Sequence, residues 1–314
     1  MRRLFALAAL IAALAVVLCS CSPLVETQTL ETHSVYATFY PYYVLTELVT
    51  QGVETIRLSC LVQPQSGCLR NYSLSEWDMY LLQYAQVVVA GGLGLESFES
   101  TLQALGDEGP VVALTNYNYT DIYDGVAPDQ TVEDSHFEGT NPHLYMSCAG
   151  AQYIVESIAL ALSEVFPSES EALLSNMEDA VDRIDELRRE MAAAASGAQG
   201  GKAILLNEAL VYLARELGVE IAGMYDRESG ETEHESDIAL CLEALASMDA
   251  QVVLVEKQAP ASLVSALEQA GYATACIDVL SFGRADMGAT GYFEAQLENA
   301  NAIGEAFARQ EEAS

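Results

Sequence analysis

The sequence predicts an α/β protein of two parallel-sheet lobes joined by a single long rigid helix. Three observations lead there. Short runs of unbroken apolar residues alternate with segments of helical periodicity, the pattern of parallel strands covered on both faces. The alternation stops between Ala149 and Ala195, where the chain reads as helix almost throughout. It then resumes to the C-terminus, so the helical stretch separates two α/β halves.

In the first half, Val35 to Tyr40 reads as a strand and Tyr42 to Gln51 as a helix ending at Gly52. Thr55 to Val62 is a second strand and Ser75 to Tyr84 a helix. Gln86 to Ala90 is a short all-apolar strand closed by Gly91-Gly92, and Val111 to Leu114 is another. The helical stretch breaks once, at Phe166-Pro167-Ser168, with Ser168 expected to cap the following piece. That piece, Glu169 to Ala195, would run roughly 40 Å at 1.5 Å per residue. The second half offers strands at Ala203–Leu206, Glu220–Met224, Val252–Glu256 and Thr274–Asp278. Helices fall at Ala209–Leu217, Ile238–Ala246, Ser262–Ala270 and from Tyr292 to about Ala308. The expected division is a signal segment over 1–20, a tether over 21–32, an N-terminal lobe over 33–167, a linking helix over 168–196 and a C-terminal lobe over 202–312.

The first residues address the compartment. Arg2 and Arg3 precede an apolar run from Leu4 to Leu18, followed by Cys19-Ser20-Cys21, the layout of an export signal. The run falls short of the roughly 20 apolar residues of a transmembrane helix. Leu18-Cys19-Ser20-Cys21 reads as a lipobox, with Cys21 as the lipid anchor that holds the mature chain to the cell membrane, at the cell surface or in the periplasm; the alternative is ordinary secretion after Ser20, and either way the mature chain lies outside the cytoplasm. Acidic residues outnumber basic ones 46 to 13, for a net charge of −33. Such a surface excludes nucleic acid as a partner and raises the local concentration of cations. In an oxidising compartment Cys60 and Cys68, flanking a Pro/Gln/Ser/Gly loop, are expected to form a disulfide. Cys241 is expected in the core, and His33 in the tether.

Six segments carry a family likeness through their order and spacing: Ala37-Thr38-Phe39-Tyr40-Pro41, Gly92-Leu93-Gly94-Leu95-Glu96, Asn141-Pro142-His143-Leu144-Tyr145, Asn207-Glu208-Ala209-Leu210-Val211-Tyr212-Leu213-Ala214, Val255-Glu256-Lys257-Gln258 and Ile277-Asp278-Val279-Leu280. Together they resemble the extracytoplasmic binding proteins of ABC-type zinc and manganese importers. The resemblance implies a metal-type solute-binding fold and a monomer that captures one zinc or manganese ion between its lobes. It also implies delivery of that ion to an ABC permease and its ATPase. In that family the ion is held by three histidines and a carboxylate, donors that suit a borderline dication. Carried over by motif, one histidine falls on His143 and the carboxylate on Asp278. Another histidine falls on Asn207, a neutral oxygen donor, with Glu208 beside it as a further oxygen. The remaining histidine falls on Arg70, whose guanidinium cannot lose its proton to bind a metal.

The replaced ligands leave three readings. A rebuilt shell of His143, Asp278 and Asn207 or Glu208 holds the ion, with His136 and Tyr72 as auxiliaries. Alternatively, Arg70 faces Asp278 or clamps the carboxylate or phosphate of another solute. In the third reading the protein is a surface or adhesion lipoprotein. A guanidinium 4 Å from a dication would be repelled by roughly 8 kcal/mol at an effective dielectric near 20. Enzymatic activity is not expected, because the chain lacks a nucleophile elbow, a zinc-protease helix and a phosphate-binding glycine loop. His234 lies in an acidic run that reads as solvated, with Ser236-Asp237 starting a helix.

Overall fold

The computed structural model describes residues 32–62, 69, 72–107, 109–117, 119, 141–225, 235–281 and 288–313. Cys21, Cys68, Arg70, His136 and His234 lie outside them. From Thr32 to Ser314 the chain forms one compact unit.

Strands β1 (His33–Ala37), β2 (Ile56–Cys60), β3 (Val87–Ala90) and β4 (Val111–Leu114) pair in parallel in the order β2-β1-β3-β4. A second parallel sheet repeats that topology, with β5 (Lys202–Leu205), β6 (Glu220–Met224), β7 (Val252–Glu256) and β8 (Ala273–Ile277) in the order β6-β5-β7-β8. β3 and β7 are buried at every residue. Their β-branched runs lack a polar face, so each sheet must be covered on both sides.

The covering helices are α1 (Tyr40–Thr50), α2 (Glu76–Gln83), α3 (Glu99–Gly106) and α4 (Cys148–Val165) in the first half. Helix α5 (Ser170–Ala194) follows, then α6 (Leu210–Glu216), α7 (Glu235–Leu245), α8 (Ala261–Gln269) and α9 (Thr290–Ala313). Helix α1 starts two residues earlier than its periodicity suggests, because Pro41 has its φ preset for the first turn. Helix α2 opens on a capping box, in which Ser75 Oγ accepts from Asp78 N while the Asp78 carboxylate accepts from Ser75 N.

Helix α5 is the predicted long helix, and its buried stripe of Leu173, Ala180, Ile184, Leu187 and Met191 follows helical spacing. Its start corrects the expectation for Ser168. The N-cap is Glu169, with no side-chain cap bond, and the Ser168 hydroxyl turns to Glu169 Oε1 at 3.3 Å.

Strand alternation divides the apolar residues between two cores. On β5 and β7, Ala203, Leu205, Val252 and Leu254 face a core that continues through α5 and α4 into the first sheet. Ile204, Leu206, Val253 and Val255 face a smaller core that holds Leu263 and Leu267 of α8. Cys241 is fully buried in the smaller core.

A polar cluster ties the halves together behind the sheets. Arg188 on α5 donates to Glu216 Oε1 at 2.9 Å and to Gln152 Oε1 on α4 at 2.8 Å. Glu216, at the end of α6, accepts from Cys148 N at 2.5 Å, satisfying an orphan donor at the start of α4.

One further expectation is corrected. His33 opens β1 rather than lying in a tether, and its ring stacks on Phe166 with centroids 4.3 Å apart. Cys60, at the end of β2, stands as a free thiol, and Cys68, its expected bridge partner, lies outside the described residues. The Cys60 Sγ donates to Val62 O at 3.2 Å, and burial pushes the thiol up to about 12.

Candidate functional site

In open parallel sheets ligands bind outside the carboxyl ends of the strands, at the point where strand order reverses. Here that point lies between β1 and β3 in one sheet and between β5 and β7 in the other. The motifs singled out in the sequence are concentrated at these strand ends.

In the first sheet the crevice is closed from within. Glu96, 2% exposed, accepts from Gly91 N and Gly92 N at 2.9 Å each and from Thr38 Oγ1 at 2.8 Å. Burial raises its carboxyl above the ordinary glutamate value, and those three bonds pull it back in part. Gly92 has φ +77, and a Cβ there would stand 2.7 Å from the Tyr117 ring, so the turn requires glycine. The Gly92-to-Glu96 segment is therefore a structural turn.

His143 is held in one tautomer. Asn116, just past β4, donates from Nδ2 to Pro142 O at 2.9 Å and accepts at Oδ1 from the Tyr42 hydroxyl at 2.9 Å. Asn141 donates from Nδ2 to Glu208 O at 2.9 Å, which fixes its Oδ1 as the acceptor of both His143 N at 3.0 Å and His143 Nδ1 at 2.8 Å. A neutral His143 therefore carries its proton on Nδ1 and its lone pair on Nε2, the orientation that a second partner gives a metal-binding imidazole. Tyr212 completes the clamp by donating to Asn141 O at 2.7 Å.

The second sheet supplies the remaining positions. Asn207 follows β5; its Oδ1 accepts from Ala209 N at 2.7 Å and its Nδ2 donates to Glu256 Oε1. Asp278 follows β8 and is 9% exposed. Asn299 on α9 clamps its backbone from both sides, accepting from Asp278 N at 2.8 Å and donating to Asp278 O at 2.9 Å. Asp278 Oδ1 accepts from Leu280 N at 2.9 Å, while Oδ2 lies 3.7 Å from Lys257 Nζ.

Four predicted positions, His143, Asn207, Glu208 and Asp278, are thus brought into one linked run. His143 reaches Glu208 through Asn141, Asn207 reaches Glu256, and the next residue, Lys257, meets Asp278. Arg70 and His136 cannot be added to this run, being outside the described residues. Tyr72 is committed elsewhere: its hydroxyl donates to Asp78 Oδ2 at 2.9 Å, and burial with that carboxylate pushes the phenol up to about 12. Among the described residues no three His, Cys, Asp or Glu side chains gather as a group able to hold a metal ion. The donor set is therefore mixed, with an oriented imidazole and a fixed carboxylate that suit a dication beside an ammonium that opposes it.

Sequence reasoning missed Asn141, Glu256 and Lys257 as site residues. The available signal was Lys257 itself, one of two lysines in the chain.

Residues 35–306 match the family described as zinc-uptake complex component A, periplasmic. The chain belongs to this family. Family membership makes it a solute-binding protein rather than an enzyme. A Thermotoga maritima protein, whose name proposes metal binding, is 24% identical over 240 residues, covering 75% of this chain and 79% of that protein. Among solved structures, the SBP FpvC of Pseudomonas aeruginosa in complex with Mn2+ aligns with a TM-score of 0.73 at 20% identity, over 88% of this chain and 99% of that one. The periplasmic zinc-binding protein TroA of Treponema pallidum aligns at 0.71 and 17% identity, and the metal-dependent lipoprotein YcdH of Bacillus subtilis at 0.70 and 20%. Both alignments also span 88% of this chain and 99% of the other. These likenesses establish the two-lobed fold. No helix among the described residues is long and apolar enough to cross a membrane.

Proposed function

We propose that this protein is the extracytoplasmic, lipid-anchored receptor of an ABC importer, capturing one divalent cation of the zinc or manganese type for its permease and ATPase. The N-terminal lobe over 33–167 and the C-terminal lobe over 202–312 contribute across the helix within 168–196, and Cys21 carries the lipid. The observation that carries the reading is the His143–Asn141 pair, which holds the imidazole with Nε2 as its donor nitrogen beside a strand-end run terminating at Asp278. His143 and Asp278 are the principal ligands. Asn207 contributes at most its second oxygen lone pair, and Glu208 stands next to it in the same run. The family match and the metal named for each of several structural neighbours support the choice of a cation, and the lipoprotein among them supports the anchor.

Calorimetric titration of Zn2+ and Mn2+ into the compact unit from Thr32 onward tests this. One site per chain is expected, lost in His143→Ala and weakened at least tenfold in Asp278→Asn. A folded chain that binds neither ion would overturn the reading and favour an anionic solute held by Arg70.

A further inference from the structure

We propose that Lys257 is a tethered cation that competes with a divalent cation for the Asp278 carboxylate and so sets the affinity threshold of the cleft; the proposal rests on the function given above. Sheet register puts the two residues together. β7 and β8 pair with Glu256 opposite Ile277, so the next residue of each strand end, Lys257 and Asp278, face one another. A backbone bond from Lys257 N to Ile277 O at 2.7 Å extends the ladder to this point. The lysine Nζ then lies 3.7 Å from Asp278 Oδ2.

The two partners differ in freedom. The Asp278 side chain is 12% exposed, and its Oδ1 and both backbone polar groups are committed to Leu280 and Asn299. The Lys257 side chain is 51% exposed and sits on a flexible four-carbon stem, so its ammonium can retreat into water while the carboxylate stays. Glu256, the residue before Lys257, is buried and accepts from Asn207. A divalent ion arriving at Asp278 must therefore displace the ammonium or bind beside it, and repulsion scales with the product of the charges. The acidic surface draws cations in general toward the protein. The ammonium subtracts a fixed amount from every dication's affinity, so ions held by oxygen alone fall below useful occupancy first. An ion that also gains the His143 imidazole survives the penalty.

The test is titration of Zn2+ and Mn2+ into the compact unit from Thr32 to Ser314 as wild type, Lys257→Gln and Lys257→Arg, each also with Asp278→Asn. Lys257→Gln is expected to bind about tenfold more tightly, Lys257→Arg to resemble wild type, and the gain to vanish with Asp278→Asn. Equal affinities for wild type and Lys257→Gln, or an undiminished gain with Asp278→Asn, would overturn the proposal while leaving the cation-binding function intact. Absence of binding in every variant would remove both. An independent readout comes from 13C reductive methylation, which preserves charge. On addition of Zn2+ the Lys257 methyl resonance should move and that of Lys202 should not. An unmoved Lys257 signal in a chain that binds zinc also overturns the displacement.

Discussion

The two sheets share one strand order but use their strand ends in opposite ways. At the first, the Glu96 carboxylate is enclosed by two backbone amides and a threonine hydroxyl, all buried and all satisfied. At the second, Asn207, Glu256, Lys257 and Asp278 meet through side chains, one of them a half-exposed lysine. Identical topology thus yields one crevice stabilised by its own backbone and another whose contacts can be exchanged. Removing a group should cost stability in the first and alter binding in the second.

Glu96→Leu should give the largest effect, because three buried donors lose their acceptor together. A loss of about 3 kcal/mol or more is expected in urea denaturation, with cation binding retained by whatever fraction remains folded. Its pH dependence sharpens the point. Glu96 has a folded-state value raised by burial, so the native chain binds its proton more strongly than the unfolded chain does. The stability difference between wild type and Glu96→Gln should therefore shrink as pH rises from about 4.3 through the folded value of Glu96, then level off. A difference that grows with pH would show the caging bonds outweighing desolvation.

Arg188→Ala should come next, at about 1–2 kcal/mol, because Arg188 is partly exposed and Glu216 keeps its bonds to the start of α4. Glu256→Gln should cost less than about 1 kcal/mol, since an amide oxygen can still accept from Asn207, while shifting the cation affinity. A loss as large as that of Glu96→Leu would erase the contrast between the sheets. Lys202→Ala is the smallest case. Its partner Asp249 is 92% exposed, and neither thermal midpoint nor cation affinity should change measurably.

How much of this was legible depended on what each feature required. The strands could be read because buried parallel strands need unbroken apolar runs, as in Val252–Glu256. The long helix could be read because its spacing from Leu173 to Met191 admits no strand. His143 and Asp278 could be located because short motifs surround them. Lys257 could not, because its meeting with Asp278 follows from β8 lying beside β7 in a particular register, and strand order is not written in local sequence. His33 was misplaced for a similar reason: Phe166, its stacking partner, is far along the chain. The cap at Ser168 failed because the helix begins one turn position later than the proline suggests.

The larger core has a thermodynamic consequence. It passes without interruption from the first sheet through α4 and α5 to the inner face of the second, so neither half possesses a complete hydrophobic interior of its own. Splitting the halves would expose the buried stripe of α5 and strip cover from both sheets at once. Scanning calorimetry should accordingly record a single transition whose van't Hoff and calorimetric enthalpies agree. A chain that melts as one body keeps its two sheets coupled through α5, and any wide separation of them exposes part of the core they share.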